Sequence, residues 1–369
     1  MNVTPGSNPS LDHVVGQDAA VNLLRKILAG GRIPHAYLFH GPAGVGKWDS
    51  ALAFANTLLC TGPGAAENGS PCGTCRSCAQ IAAASHPDLY RIGLYPKKEF
   101  PKSPRPKEEI PPKPLDFEAG DQEMLTQVRI QQIRWLNTQA SHPPAEGSRR
   151  IFVLDPADRL NPQAQNAILK TLEEPESRSI IVLVTTRPHA LLPTIRSRCL
   201  SVGLRAVDPL QLAGKLEERG YPVREAEIRA ALSGGRPVAA ERLDLTVMKA
   251  RRAGFVADLE ALATSPAGLA ELPEMTHRIL GDSEPDLLEG LDMIQGLLRD
   301  VARCGAGMPR ASLLNTDISA DLNGLARRFT PERAAELVAL IDRLRLDLRF
   351  NINKTLMAET ILAELTRPE

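Results

Sequence analysis

The 369-residue sequence has few aromatic residues, no net charge and no long apolar run. Aromatics make up 4% of the chain, which argues against a surface that binds single-stranded nucleic acid by stacking. The 44 basic residues are balanced by 44 acidic ones, whereas a protein that holds DNA alone through many phosphate contacts is usually basic. No apolar run reaches the ~18–20 residues of a membrane span, and the N-terminal stretch lacks the pattern of a secretory signal. These absences favour a cytoplasmic protein that shares any nucleic-acid role with partners.

Four of the six cysteines crowd together in the spacing C-x11-C-x2-C-x2-C. In a chain without an export signal this spacing predicts a metal site before disulfides. Four thiolates complete a tetrahedral zinc shell and leave no position for water or substrate, so we expect a structural zinc ion, with an iron–sulfur cluster as the alternative. Cys199 and Cys304 stand alone and are expected to be ordinary buried residues. The predicted metal ligands are Cys60, Cys72, Cys75 and Cys78.

A phosphate-binding loop is predicted in "HGPAGVGKWDS", residues 40–50, which has the pattern G-x-x-x-x-G-K. The strand-like "AYLFHG" precedes it and the helical "ALAFANTLL" follows it, which is the context that such a loop requires. Backbone N–H groups of Gly41, Gly44 and Gly46 and the side chain of Lys47 would hold phosphates. A plain glycine turn is the alternative. The next position normally provides a hydroxyl for magnesium, but here it is Trp48, which has no oxygen.

A second degenerate position follows the apolar strand in "RRIFVLDPADRLN". Asp155, at the end of this strand, is the usual source of the second magnesium contact. In ATPases of this type an acidic residue comes next and orients the attacking water, but this chain has Pro156 there. Asp158 is expected to start or cap the next segment rather than to replace that acid. Two independent losses predict a nucleotide site that binds ATP, if at all, without hydrolysing it.

Strand and helix patterns alternate over the first ~200 residues, which predicts a doubly wound parallel sheet. The continuous apolar runs "RRIFVLD" and "SIIVLVTT" are typical of parallel strands that are covered on both faces. Residues 96–120 contain seven prolines and are expected to form a solvated, extended loop. After Leu204 the patterns are helical, and the Leu/Ile stripe of "ELVALIDRLRLDL" is expected to be core.

Four stretches together resemble the bacterial clamp-loader subunits of the AAA+ class. They are "VVGQDAAVNLLRKILAGGRIPHAYLFHGPAGVGK", the four-cysteine module, "QNAILKTLEEP" and "TIRSRCLSV". The resemblance runs through residues 14–204 apart from the proline-rich insertion, and "FNINKTLMAETIL" near the C-terminus extends it. With Trp48 and Pro156 at these two positions, the chain resembles the delta-prime type of DNA polymerase III subunit, which does not hydrolyse ATP. It resembles the hydrolysing tau/gamma type less.

The resemblance implies an α/β fold followed by an all-α part. We expect an AAA+ P-loop domain over residues 1–204, with a zinc module at 60–78 and the insertion at 96–120. A small helical lid would follow over 205–247, and a C-terminal helical collar over 248–369. The implied partners are tau/gamma and delta subunits in a hetero-oligomer, which contacts the sliding clamp and primed DNA as an assembly.

The resemblance also assigns individual residues. In "SRC", Arg198 would reach the ATP of a neighbouring subunit, where a planar guanidinium can stabilise charge on the γ-phosphate. Thr185 or Thr186 matches the polar sensor position at the end of a strand. The sensor arginine of the lid would fall on Val238, and Arg236 comes two residues too early.

Two other functions stay open at this stage. An ATP-hydrolysing tau/gamma-type subunit, or another AAA+ ATPase, predicts magnesium-dependent turnover that Lys47→Ala abolishes. A zinc-dependent DNA-binding module predicts tight and steeply salt-sensitive duplex binding, which the zero net charge already disfavours.

Overall fold

The structure is a computed structural model that describes residues 8–102, 105, 107–115, 117, 122–175, 178–264, 284–347 and 354–366. Contacts divide the chain into two compact units. The first comprises residues 1–207 with 236–238, and the second comprises residues 208–235 with 239–369.

A five-stranded, fully parallel sheet forms the centre of the first unit, in the order β2-β3-β4-β1-β5. The strands are β1 (Ala36–His40), β2 (Leu89–Ile92), β3 (Arg150–Leu154), β4 (Ser179–Thr185) and β5 (Leu200–Gly203). All residues of β3 and β4 are buried, because helices cover both faces of the sheet. The prediction of a doubly wound parallel sheet is confirmed. The edge strand β2 was not predicted.

Helices follow the strands in the first unit and make up nearly all of the second. In chain order they are α1 (Asp18–Gly30), α2 (Lys47–Leu59), α3 (Ala65–Asn68), α4 (Arg76–Ala82), α5 (Ile130–Ala140), α6 (Pro162–Glu173), α7 (Pro193–Arg196), α8 (Pro209–Glu218), α9 (Val223–Leu232), α10 (Pro237–Arg242), α11 (Leu245–Thr264), α12 (Glu284–Gly305), α13 (Ser319–Leu325), α14 (Pro331–Asp347) and α15 (Lys354–Thr366).

Two hydrophobic clusters cover the faces of the sheet. On one face α1 and α2 pack against Tyr37, Phe39 and Val153. On the other face α5 and α6 pack against Leu38 and Phe152. Because neighbouring strand residues point to opposite faces, strands β1 to β4 each contribute to both clusters.

The proline-rich insertion is only partly as predicted. Its described residues contain no helix or strand beyond an isolated bridge from Pro96 to Met124. The expectation of a solvated loop is wrong for Phe100 and Ile110, which are buried together with Leu125 in a small cluster of their own. Their apolar side chains leave water by packing on each other, so the insertion is a folded segment in this part.

The second unit has its own apolar core, which includes Phe255, Leu291 and Ile361. The predicted stripe on α14 contributes Leu337 and Ile341, and Leu348 lies outside the described residues. None of the helices in the described part of the chain is both long enough and apolar enough to cross a membrane.

Candidate functional site

The glycine loop lies between β1 and α2, at the carboxyl end of the sheet. Gly41 has φ 149°, and a Cβ at this position would come within 2.1 Å of the carbonyl oxygen of Leu204. Gly44 and Gly46 also have positive φ, so the loop can only be built with glycines here. The helix begins at Lys47, and its first N–H groups face the loop in the arrangement that binds anions.

The ammonium group of Lys47 is bonded to the loop itself. Its Nζ donates to the carbonyl oxygens of Gly41 at 2.9 Å and Pro42 at 2.5 Å. Burial lowers the pKa of Lys47 to about 8, although Asp155 and Asp158 act in the opposite direction. Phosphates would have to compete with these carbonyls for the lysine.

Trp48 faces inward from the first turn of α2. Its side chain belongs to the cluster between this helix and the sheet and is 8% exposed. The guanidinium carbon of Arg91 lies 4.6 Å from the centroid of the Trp48 ring. The position that normally offers a hydroxyl to a metal ion therefore offers an indole covered by a cation.

Asp155 directly follows β3, as predicted. One carboxylate oxygen lies 3.2 Å from Nη2 of Arg91. Burial raises the pKa of Asp155, while Arg91 and Lys47 oppose this change. The next residue, Pro156, offers no side-chain base. Sequence reasoning missed Arg91; the one available signal was a charge in the middle of "LYRIG".

Asp158 lies in a short 3-10 helix (Ala157–Arg159) and so starts the next segment, as expected, although its carboxylate bonds to other side chains. Its side chain is 4% exposed and accepts a hydrogen bond from Thr185 Oγ1 at 2.7 Å and two from Arg187, at 3.1 and 2.8 Å. The carboxylate turns inward because these donors at the end of β4 satisfy it. Thr185 is buried at the strand end whereas Thr186 is exposed, so Thr185 is the one of the two that faces the site.

Val238 also lies at the loop, within the first unit. Its backbone N–H donates to the carbonyl oxygen of Gly44 at 2.9 Å, and its Cγ2 would stand 3.7 Å from a Cβ on Gly46. An apolar side chain therefore borders the loop where the family resemblance implies an arginine.

Arg198 follows α7, two residues before β5. Its guanidinium lies 2.9 Å from a carboxylate oxygen of Glu173 and donates to the carbonyl oxygen of Thr194 at 3.0 Å. The side chain is 36% exposed. These two contacts hold the arginine at the surface without burying it.

The four predicted cysteines come together. Their Sγ atoms all lie within 4.8 Å of one another, and Cys60 Sγ is 3.8 Å from Cys75 Sγ and 3.7 Å from Cys78 Sγ. A tetrahedral zinc ion with Zn–S bonds of about 2.3 Å separates its sulfurs by about 3.8 Å. The cluster could therefore hold zinc.

Backbone N–H groups donate hydrogen bonds to the sulfurs, which favours the thiolate form. Gly62 N and Cys72 N donate to Cys60 Sγ at 3.4 and 3.3 Å. Burial raises the pKa of Cys75, but hydrogen bonds from Thr61 and from the backbone of Cys78 outweigh it and lower the pKa to about 5. A bound cation would favour the thiolate form of all four.

Polar contacts tie the cysteine module to the rest of the first unit. Glu146 accepts hydrogen bonds from Arg76 at 2.8 Å and from Gln80 at 3.0 Å, both on α4. Ser70 lies 2.7 Å from the hydroxyl of Ser10. The module therefore braces both the N-terminal segment and the loop before β3.

Comparisons with known proteins agree with this architecture. The family model described as DNA polymerase III, delta subunit, matches residues 16–208, and the model described as DNA polymerase III, delta subunit, C terminal, matches residues 250–367. Three curated relatives illustrate the similarity. The DNA polymerase III subunit delta' of Pseudomonas aeruginosa is 33% identical over 68% of this chain and 68% of that protein.

The delta' subunit of Bacillus subtilis is 27% identical over 91% of this chain and 92% of that protein. The gamma/tau subunit of Mycobacterium tuberculosis is 31% identical over 77% of this chain, but the match spans only 43% of that longer protein. With one family model covering more than half of the residues, a second covering the C-terminal helices and a delta' relative that is 33% identical over 68% of its length, the chain belongs to the DNA polymerase III delta-prime subunit family.

Proposed function

We propose that this chain is the non-hydrolysing delta-prime subunit of a clamp loader, which helps to place the sliding clamp on primed DNA. In this proposal it assembles with tau/gamma and delta subunits and lends Arg198 to the ATP site of a neighbour. Residues 1–204, 205–247 and 248–369 act as P-loop domain, lid and collar. Zinc on the four cysteines has a structural role.

The state of the chain's own nucleotide site supports the absence of hydrolysis. Trp48 and Pro156 lack the oxygen and the base that the reaction requires. The remaining polar groups are already engaged, since Lys47 bonds to loop carbonyls and Asp158 to Thr185 and Arg187. Neither Asp155, which pairs with Arg91, nor Asp158 is therefore free to activate a water molecule at this loop.

The observation that carries the proposal is the exposure of Arg198, in contrast to the engaged polar groups of the chain's own nucleotide site. Its guanidinium is exposed, and a single carboxylate and one carbonyl oxygen hold it. An exposed ion pair of this kind contributes little to stability, so Glu173 can release the arginine to a phosphate at little cost. A guanidinium that stabilises the γ-phosphate in trans raises the hydrolysis rate about 10³-fold or more.

The test is a loader reconstituted with Arg198→Ala. We expect the loader to assemble, but clamp loading and the ATPase rate stimulated by DNA and clamp should both decrease. In single-turnover measurements the affected ATP site should lose about 10³-fold in hydrolysis rate. Arg198→Lys should not rescue the rate, because an ammonium lacks the planar fork. Arg196→Ala is the matched control, because Arg196 contacts His189 instead. Wild-type loading rates with Arg198→Ala would reject the role in trans.

An ATP-hydrolysing tau/gamma-type subunit is the alternative that the gamma/tau relative supports. The purified chain separates the two functions. We expect no magnesium-dependent turnover, whereas a robust rate that Lys47→Ala abolishes would favour the hydrolysing type.

A further inference from the structure

The loop described above belongs to a class that normally holds its nucleotide together with magnesium, and the residues present do not fit that ion. Magnesium requires near-octahedral oxygen ligands. Trp48 replaces the hydroxyl with an indole, and Asp155 already has a cationic partner. The residue that occupies the place of the magnesium ion beside Asp155 is Arg91.

Arg91 reaches this position through the register of the sheet. It pairs with Val153 across β2 and β3, and Asp155 lies two residues beyond Val153. Because side chains two apart along a strand share a face, Arg91 and Asp155 project to the same side. That side is the one covered by α2, which carries Trp48.

The guanidinium joins the two degenerate positions. It stacks on Trp48 at 4.6 Å and contacts the carboxylate of Asp155 at 3.2 Å. Arginine is suited to both contacts at once, because its planar and weakly hydrated cation stacks on aromatic faces and pairs with carboxylates. A divalent cation near Asp155 would meet the repulsion of this charge and gain no oxygen from Trp48.

We propose that Arg91 is a built-in cation that takes the place of the divalent metal ion as the partner of Asp155, so that the site excludes magnesium. This inference rests on the proposed absence of hydrolysis and gives it a structural cause. Arg91 is a specificity-determining residue in this account. It makes any ligand of the glycine loop independent of metal.

A double-mutant cycle tests the pairing on the full-length chain. Arg91→Met, Asp155→Asn and the double variant are unfolded with urea in buffer without magnesium or chelator. We expect the unfolding equilibrium constants to show a coupling of about threefold or more between the two positions. The matched control cycle replaces Asp155→Asn by Asp158→Asn, whose carboxylate pairs with Arg187, and should give no coupling to Arg91.

Metal exclusion is measured on the wild-type chain, with Asp155→Asn as the comparison. Mn²⁺ serves as the probe, titrated with and without ADP and followed by electron paramagnetic resonance. We expect the wild-type chain to show no stoichiometric Mn²⁺ binding, and any weak binding to be the same in Asp155→Asn. Coupling below about threefold, or stoichiometric Mn²⁺ binding that is lost in Asp155→Asn, would overturn the inference. Neither readout involves turnover, so this failure is distinguishable from failure of the proposed function.

Discussion

Removal of metal from the cysteine cluster should destabilise the first unit by a predictable amount. Without an ion, four clustered thiols lose the bonds that fold the module back on itself. The contacts at risk are the hydrogen bonds of Ser10 to Ser70 and of Asn8 to Gly73, and the two contacts on Glu146.

Neutral hydrogen bonds contribute about 1 kcal/mol each and an exposed ion pair about 0.5 kcal/mol. These contacts therefore sum to about 3.5 kcal/mol, which for a unit of this size corresponds to a fall in Tm of about 7–14 °C. Ile81 on α4 is fully buried in the first core, so loss of its packing would add to this value.

The assay is differential scanning calorimetry of Cys75→Ser and of chelator-treated wild type, with metal analysis of both. We expect about one zinc ion per wild-type chain, loss of the ion in Cys75→Ser and similar decreases in Tm for the two samples. Cys304→Ser makes the same chemical change outside the cluster and should retain the metal. Metal-free wild-type protein whose Tm does not respond to the chelator would refute the reasoning.

Two further predictions concern the first unit. Burial raises the pKa of Asp88, but hydrogen bonds from the backbone of residues 145–147 and from Arg150 outweigh it and lower the pKa below its usual value. This carboxylate therefore stabilises the fold above about pH 4, and the contribution is lost as the pH falls through the folded-state pKa. Asp88→Asn should remove that acid dependence and cost about 3–5 kcal/mol, because it leaves the buried Arg150 without an opposite charge; an unchanged pH profile of urea unfolding would contradict this. Trp48→Ser should lower stability by about 3–5 kcal/mol through the cavity it leaves, and it should not restore ATP turnover, because Pro156 still provides no base; turnover comparable to a tau/gamma subunit would contradict the account.

Long apolar strands and the glycine loop were predictable because their signals are local. The runs that became β3 and β4 are continuous, and the loop pattern requires glycines at defined positions. The edge strand β2 was missed because "LYRI" interrupts its apolar residues with Arg91. A charge within a short strand is acceptable at an edge when a partner lies nearby, and that partner, Asp155, is brought close by the fold.

The same limit applies to the partners of Asp158. A carboxylate soon after a strand has the local pattern of a cap. Its actual partners are Thr185, at the end of β4, and Arg187, two residues further on, which only the fold brings close. The proline-rich insertion was correctly predicted to lack helix and strand in its described residues. The burial of Phe100 depends on Leu125 beyond the insertion, which composition alone does not reveal.

The most direct test of the account is the position of Arg198 in a structure of the assembled loader with an ATP analogue in the neighbouring subunit. The account predicts that the guanidinium has left Glu173 and donates to a γ-phosphate oxygen at about 2.8 Å, the usual length of a charge-assisted hydrogen bond. An Arg198 side chain that stays on Glu173, facing solvent and remote from every bound nucleotide, would contradict it.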